Sequence, residues 1–214
     1  MLLVTSLSEQ GYQQYGRRLL DSLSENCKLP LTVYSEDIDI HRSLHEVEGW
    51  KEFQDATAHI NPSSYLYDIR RFSHKVYAQL DAFESDHRYV VWIDGDVVVK
   101  KEVTEGFLKR LVKERMCAYL GRQQCYSETG FIIFDTEHED FPEFRKRYRA
   151  QYDEKLLFLQ DYWVDCIAFD VARQGLDTRN LTPDVFGMVS VFDKSPLAAY
   201  MDHDKGNLKY REER

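Results

Sequence analysis

The 214-residue chain is long enough for one globular domain with a substantial core, since 43% of its residues are hydrophobic. An aromatic content of 14% excludes a disordered or collagen-like chain. A formal net charge of −9 excludes long nucleic acids as expected partners, because the molecule as a whole repels them. A small phosphorylated ligand stays compatible with this charge, since a metal ion and a few basic side chains can reverse the field inside a cleft.

The predicted elements alternate between strands and helices along the whole chain. Apolar runs predict strands, and apolar residues three or four positions apart predict helices. The strands are predicted at residues 2–5, 31–34, 89–93, 116–120 and 131–134. The helices are predicted from residue 12, at 65–84 with Ser63 or Ser64 as the N-cap, at 139–153 and at 158–174.

This alternation predicts one α/β domain over residues 1–214, with a mostly parallel central sheet flanked by helices. In such folds ligands bind at the carboxyl ends of the strands. The chain begins directly with a predicted strand, and its apolar runs are too short to span a bilayer. We therefore expect no membrane anchor and a cytoplasmic protein, in a bacterium or a virus-infected host cell.

Two acids, Asp94 and Asp96, directly follow the predicted strand 89–93. Two carboxylates this close repel each other, and a divalent cation resolves the conflict, since Mg²⁺ and Mn²⁺ prefer carboxylate and phosphate oxygens. Gly95 between them lets a ligand approach the backbone. The same residues also allow an Asp-Gly hairpin turn, which needs no metal.

This strand and acid pair resemble the D-x-D motif of GT-A glycosyltransferases. The run from His203 to Lys209 reads H-x-x-G-x-x-K and resembles the C-terminal element of glycogenin-type members, without the Pro-Trp that usually follows it there. The resemblance implies a GT-A, Rossmann-like fold of the nucleotide-diphospho-sugar transferases. It also implies a metal held by Asp94, Asp96 and His203, with residues 200–214 as a tail that closes over a diphosphate.

The resemblance extends to the rest of the cleft. Glu128 and Asp161 lie in segments that resemble those lining the sugar pocket, where a carboxylate stabilises the transition state or accepts a proton; Asp161 could equally be an acid of a first helical turn. Arg71 and Lys75 share one helix face, which is either a phosphate-binding face or a solvated, ion-paired one. The residues expected to bind the nucleotide or its phosphates are Thr5, Ser6, Tyr12, Arg71, Lys75, Gly95, Lys205, Gly206 and Lys209.

The expected activity is transfer of a hexose from a UDP-sugar to an acceptor hydroxyl, on a carbohydrate or another molecule, with Mn²⁺ or Mg²⁺. Glucose is the first expectation for the sugar, and the H-x-x-G-x-x-K match favours retention of configuration. Two alternatives stay open. One is a haloacid-dehalogenase-like phosphatase, whose signature is also two acids after an apolar strand, and the other is a non-catalytic nucleotide- or glycan-binding module.

Overall fold

The computed structural model describes residues 1–204 of the chain, and these contain nine strands and seven α-helices. The strands are β1 (Leu2–Ser6), β2 (Leu31–Ser35), β3 (Arg42–Ser43), β4 (Tyr89–Ile93), β5 (Val97–Val99), β6 (Cys117–Leu120), β7 (Glu128–Asp135), β8 (Thr178–Asn180) and β9 (Met201–His203). The helices are α1 (Glu9–Gly11), α2 (Arg17–Asn26), α3 (Trp50–Ala56), α4 (Ile69–Ala82), α5 (Glu105–Val112), α6 (Phe141–Asp153) and α7 (Asp165–Arg173). A π-helical turn, Tyr12–Gly16, joins α1 to α2.

Seven of the strands form one sheet in the order β3-β2-β1-β4-β7-β6-β8. Strand β1 lies parallel to both β2 and β4, and β2–β3 and β6–β8 are also parallel pairs. Strand β7 runs antiparallel to β4 and β6. The prediction of an α/β domain with a mostly parallel central sheet is confirmed.

Strand β4 shows why this sheet is buried on both faces. Val90 and Trp92 point into the core that α4, α6 and α7 cover, whereas Val91 and Ile93 point into the core beneath α2 and α5. Side chains alternate between the faces of a strand, so a continuous apolar run is what a strand between two helical layers requires. The two acids therefore lie where the chain leaves the middle of the molecule.

A second, two-stranded sheet brings the C-terminal part of the described chain back to this point. Strand β5 pairs antiparallel with β9, with Val97 opposite His203 and Val99 opposite Met201. Met201 is 2% exposed, so β9 belongs to the packed body of the protein. The expected tail from residue 200 to 214 thus begins with an integrated strand.

Two helices begin later than the sequence predicts. The helix expected at 65–84 starts at Ile69, and Asp68 caps it by accepting a hydrogen bond from the Arg71 amide, so the predicted Ser63 or Ser64 cap is wrong. The helix expected at 158–174 starts at Asp165, after a separate 3₁₀ turn at Leu156–Leu159. In both places a short 3₁₀ segment continues the apolar pattern without being part of the helix.

Among residues 1–204, no helix has the length and apolar character that crossing a membrane requires.

Candidate active site

A cavity of about 1430 Å³ opens at the carboxyl ends of the parallel strands. Ser6 at the end of β1, Glu36 just after β2 and Asp94 just after β4 all line it. Parallel strands present their carboxyl ends at one edge of the sheet, which is where a ligand can meet several loops at once. The cavity therefore lies at the edge of the sheet where the sequence predicts ligand binding.

The acid pair lies in a turn that leads out of the sheet. The amide of Val97 donates a hydrogen bond to the Asp94 carbonyl at 3.1 Å, which closes the turn around Gly95 and Asp96. Strand β5, which follows, pairs with β9 and not with β4. The hairpin interpretation of Asp-Gly is therefore wrong, although a turn is present.

Gly95 is required by packing at this turn. A Cβ atom on Gly95 would lie 2.4 Å from Cδ2 of Leu7 and 3.0 Å from Cε2 of Tyr15. Contacts this short would push Leu7 and Tyr15 outward, and both residues line the cavity. The glycine thus lets the β1 loop and the π-helical turn approach the acid pair.

Lys75 is the centre of a buried polar network beside Asp94. Its Nζ atom lies 2.9 Å from Oδ1 of Asp94 and 2.8 Å from Oδ2 of Asp165, and it donates to Oγ1 of Thr129 at 3.1 Å. The indole Nε1 of Trp92 also donates to Asp94 Oδ1, at 2.6 Å. These bonds fix the Asp94 carboxylate through Oδ1, so its Oδ2 is the oxygen they leave to meet a ligand.

The charge state of Lys75 follows from these partners. Burial alone would lower the pKa of Lys75, but the carboxylates of Asp165 and Asp94 outweigh burial and hold the pKa above the usual value for lysine. The group therefore stays an ammonium ion at neutral pH. The sequence allows this helix face to be either phosphate-binding or solvated and ion-paired. Lys75 is ion-paired, but its ion pairs are buried and lie at the cavity.

His203 meets Asp96 across 107 residues of sequence. Its Nε2 atom lies 2.9 Å from Oδ1 of Asp96, and the two side chains are 3% and 6% exposed. The ring packs against Phe192 with a centroid distance of 4.7 Å. Its other nitrogen, Nδ1, is buried with no hydrogen-bond partner among the described residues.

Three side chains at this point could hold a metal ion. Asp94, Glu128 and His203 each offer one ligand atom, and the three atoms lie within 4.8 Å of one another. A buried histidine nitrogen without a described partner and two carboxylates are donor groups that a divalent cation binds, so the residues fit such an ion. Gly130 leaves the necessary room, because a Cβ there would lie 2.7 Å from Cε1 of His203.

Glu128, at the start of β7, is held in this position by two further bonds. Arg122 Nη2 lies 3.3 Å from Oε2 of Glu128, and the Arg122 side chain is 5% exposed. The amide of Gly130 donates to Oε1 at 3.2 Å. The carboxylate therefore faces the cavity with a fixed orientation.

Comparison with known proteins gives a match in structure. No protein-family model matches the chain, and no curated protein matches its sequence. A glycosyltransferase involved in glycosylation of the major capsid of PBCV-1 matches with a TM-score of 0.52 and 15% identity, over 96% of this chain and 94% of that one. The apo bifunctional glycosyltransferase WbbM matches with a TM-score of 0.52 and 15% identity, over 85% of this chain and 38% of that one.

A third match is the glycosyltransferase GlyE of Streptococcus pneumoniae TIGR4, with a TM-score of 0.51, 12% identity, and coverage of 84% of this chain and 45% of that one. The chain thus spans less than half the length of WbbM and of GlyE.

The chain has the GT-A glycosyltransferase fold.

Three residues are expected to bind the nucleoside in this GT-A fold. Ser6 lines the cavity, and the other two, Thr5 and Tyr12, do not. Thr5 is fully buried and Tyr12 lies outside the described cavity lining, where its ring contacts Arg17. Tyr15, three residues further on, lines the cavity instead. The π-helical turn Tyr12–Gly16 changes the helical phase that the sequence spacing assumes, which explains the exchange.

Asp161 and Asp165 lie close together in sequence, but only Asp165 lies in the cavity. Asp161 is exposed and outside the described lining, whereas Asp165 is 5% exposed and lines the cavity. The later start of α7 is the reason, since it places Asp165 in the first turn, facing Lys75. Arg71 is exposed and lines the cavity.

Lys205, Gly206 and Lys209, which are predicted to contact the diphosphate, lie outside the described residues. Several residues of the cavity are absent from the sequence-based set: Thr129, Trp92, Arg122, Tyr15 and Asp165. The spacing of Trp92 two residues before Asp94 could have suggested its bond, because side chains two positions apart in extended chain project to the same side. Thr129 and Asp165 depend on contacts with Lys75 from a distant segment, whereas Tyr15 depends on the π-helical turn and Arg122 on the loop just before β7.

Proposed function

We propose that this chain is a metal-dependent glycosyltransferase that moves a hexose from a UDP-sugar to an acceptor hydroxyl on a carbohydrate or another molecule. The observation that carries the proposal is the meeting of Asp94, Asp96 and His203 at the carboxyl end of β4, in a large cavity of a GT-A fold. Glucose is our first expectation for the sugar. Bound Mn²⁺ or Mg²⁺ would neutralise the diphosphate and stabilise UDP as it leaves.

The residues of the cavity have two sets of roles under this proposal. Ser6 and Tyr15 lie where the nucleoside is expected, and the hydroxyl and ring of these side chains suit hydrogen bonding and stacking. Arg71, exposed at the same cavity, adds positive charge for the diphosphate. Lys75 keeps Asp94 in one orientation and supplies a permanent ammonium ion near the transferred group.

Beside Lys75 and Asp94, two further carboxylates face the position where positive charge would develop on the sugar. Glu128 and Asp165 are both buried and both line the cavity, so either can stabilise an oxocarbenium-like transition state. A proton from the acceptor hydroxyl also needs an acceptor of this kind. Because Asp161 lies outside the cavity lining, the proposal retains Glu128 of the two catalytic candidates from the sequence.

The fold favours the proposal over the phosphatase alternative. A phosphatase of the haloacid-dehalogenase type needs its acid pair near the N-terminus and a downstream lysine and acids, and the structural matches are to glycosyltransferases. A non-catalytic binding module would share the fold and cavity, and only turnover separates it from an enzyme.

The test is a panel of sugar nucleotides incubated with the protein and Mn²⁺, with release of the free nucleotide as the measurement. We expect slow release of UDP from at least one UDP-hexose even without an acceptor, since water can replace the acceptor hydroxyl, and faster release when a suitable acceptor is added. Asp94→Asn should lose this activity, because the D-x-D turn loses a charged ligand. Brisk hydrolysis of p-nitrophenyl phosphate with no turnover of any sugar nucleotide would establish the phosphatase alternative instead.

A further inference from the structure

We propose that an apolar rim of the cavity binds a nonpolar group on the acceptor, so that the acceptor is a glycoside with an alkyl or aryl aglycone. Three residues of this apolar rim line the cavity, namely Tyr65, Tyr126 and Met188. The other two, Phe186 and Val189, flank Met188 in the same loop. The inference rests on the proposed function, because it names the class of molecule that receives the sugar.

Exposed apolar side chains are concentrated at this rim. Six large hydrophobic residues within the span 1–204 are exposed, and four of them, from 49% to 63% exposed, belong to the apolar rim: Tyr65, Phe186, Met188 and Val189. The other two, Leu156 and Leu159, lie outside the described cavity lining. Apolar side chains exposed singly need no explanation, whereas a group of them beside a cavity is typical of a binding surface.

The loop 183–189 is anchored to the protein, so its apolar side chains are held at the surface. The backbone of Gln123 donates to the Val185 carbonyl at 2.7 Å and accepts from the Gly187 amide at 3.0 Å. The Gln123 side chain donates to the Pro183 carbonyl at 2.6 Å. These bonds fix the backbone of the loop and leave its apolar side chains facing outward.

Tyr65 is exposed beside neighbours that are packed. It begins a short 3₁₀ turn, and the carbonyl of the next residue, Leu66, accepts a hydrogen bond from the Trp163 amide at 2.8 Å. The Tyr67 ring packs edge-on against Trp163, with a centroid distance of 5.3 Å. The turn is therefore fixed to the segment before α7, while the Tyr65 ring is free to meet a ligand in the cavity.

The two parts of the apolar rim meet at Cys125 and Tyr126. Burial raises the pKa of Tyr126 to about 12, and Tyr65 and Cys125 are among the nearby groups that contribute. The Sγ atom of Cys125 lies 2.8 Å from Sδ of Met188. The rim is thus a continuous surface of aromatic rings and sulfur-containing side chains, which are polarisable groups that suit a nonpolar ligand.

Arg122 links this rim to the carboxylate of Glu128. Its Nη1 atom lies 3.5 Å from the Val189 carbonyl oxygen and 4.0 Å from Sδ of Met188, and its Nη2 atom lies 3.3 Å from Oε2 of Glu128. A molecule that rests on Met188 therefore lies close to Glu128. Under the proposed function Glu128 is a candidate to accept the proton of the acceptor hydroxyl, so this position fits the acceptor.

The loop favours an aglycone over a sugar ring as the group that it contacts. A sugar needs hydrogen-bond partners for its hydroxyls, but the carbonyls of Pro183, Val185 and Val189 are already engaged. The cavity volume of about 1430 Å³ also exceeds the roughly 300–1,000 Å³ of a pocket for one small ligand. The cavity therefore has room for an acceptor beside the donor, with the acceptor's hydroxyl near Glu128 and its aglycone on the apolar rim.

The experiment compares glycosides that share a sugar and differ in the aglycone. n-Octyl and methyl β-glycosides of several hexoses, each below its micellar concentration, are titrated calorimetrically into the protein with UDP and Mn²⁺. Burial of one methylene group raises affinity about fourfold, so each octyl glycoside should bind at least about tenfold more tightly than its methyl partner. Equal affinities for the octyl and methyl glycosides would overturn the proposal.

Two serine variants, Tyr65→Ser and Met188→Ser, test where the octyl group binds. Both side chains are exposed, so both variants should fold, which thermal unfolding checks. Each should lower the octyl-to-methyl affinity ratio by at least about threefold, because apolar contact area is lost. Leu159→Ser removes an exposed apolar side chain outside the described lining and is the matched control, with an unchanged ratio. A ratio that survives in both rim variants would overturn the proposal.

Two further measurements separate this proposal from the proposed function and from another occupant. Release of UDP from UDP-hexoses without an acceptor tests the function alone. No release with any donor would overturn the function, and the acceptor role with it, whereas release together with equal octyl and methyl affinities would overturn only the apolar-rim proposal. Flotation with neutral phosphatidylcholine vesicles should show no binding. Vesicle binding that Tyr65→Ser and Met188→Ser abolish, without an octyl preference, would assign the apolar rim to a membrane surface instead.

Discussion

Lys75 shows how a single buried charge couples the parts of the site. It comes from α4, and its two carboxylate partners come from the turn after β4 and from the first turn of α7. Taking an ammonium ion out of water is unfavourable, so its presence here requires both carboxylates. The Lys75 side chain therefore links α4, the turn after β4 and α7 around the cavity.

Replacing Lys75 with Met should destabilise the protein by about 3 kcal/mol or more, because it leaves the buried Asp165 carboxylate and the half-buried Asp94 carboxylate without their cation. Urea denaturation measures the loss, with Lys51→Met, an exposed lysine on α3, as a control expected within about 0.5 kcal/mol of the unaltered protein. Adding Asp165→Asn to Lys75→Met should recover part of the loss. Equal stability of the Lys75 and Lys51 variants would contradict the account of this network.

The pH dependence of this effect has a definite sign. The pKa of Lys75 is raised in the folded state, so its contribution to stability is fully present below the pKa of an unfolded lysine, about 10.4, and is lost only as the pH rises through the folded value. The difference in stability between the unaltered protein and Lys75→Met should therefore be the same at about pH 7 and about pH 9.

At the scale of elements, β9 is the strand that delivers His203 to the site. It has three residues, and its anchor is Met201, which packs in the core beneath α2 and α5 at 2% exposure. On its flanks Lys100 pairs with Asp202 at 2.6 Å and Arg18 pairs with Asp204 at 3.0 Å. The Lys100–Asp202 pair is exposed and contributes little, so the apolar contact of Met201 and the half-buried Arg18–Asp204 pair provide most of the attachment.

Met201→Ala should therefore lower the free energy of unfolding by about 2–5 kcal/mol, the usual range for a buried methionine, and should weaken Mn²⁺ binding as His203 loses its fixed position. Met188→Ala is the matched control, since Met188 is 63% exposed and the same atoms are removed. Denaturant unfolding of the two variants provides the comparison. A Met201 variant as stable as the Met188 variant would show that β9 is not held by its core contact.

Most of the elements around the site could be predicted from local patterns, and the exceptions have physical causes. Strand β4 has the predicted bounds because its residues face two cores in alternation. The pairing of β5 with β9 could not be predicted, because two three-residue strands carry too little pattern to indicate a partner about a hundred residues away. The start of α7 was misplaced because Leu156–Leu159 extends the apolar spacing in a 3₁₀ turn.

At the scale of the whole molecule, the sequence resemblance predicted a contact that spacing alone could not. His203 was expected beside Asp94 and Asp96, and the structure places it against Asp96. The contact of Lys75 with Asp165 depends instead on how α4 and α7 pack together, and that of Arg122 with Glu128 on the path of the loop before β7. Such contacts are fixed by tertiary structure, so single-sequence patterns contain no signal for them.

The overall charge bears on how this molecule can bind its proposed donor. A protein with a net charge of −9 repels a nucleotide diphosphate, and the cavity adds the carboxylates of Asp94, Asp96, Glu128 and Asp165. Lys75 and Arg122 are already engaged with acids in that group. Under the proposed function, a divalent cation would add to the positive charge of Arg71 and make the cavity attractive to a diphosphate.

The most direct test of the central claim, a metal ion between the D-x-D turn and the donor's diphosphate, is calorimetric titration of UDP into the protein with Mn²⁺ and again with EDTA. We expect UDP to bind at least about tenfold more tightly with Mn²⁺, a difference of about 1.4 kcal/mol, and Asp94→Asn to abolish that difference. Equal affinity for UDP in Mn²⁺ and in EDTA would contradict the account.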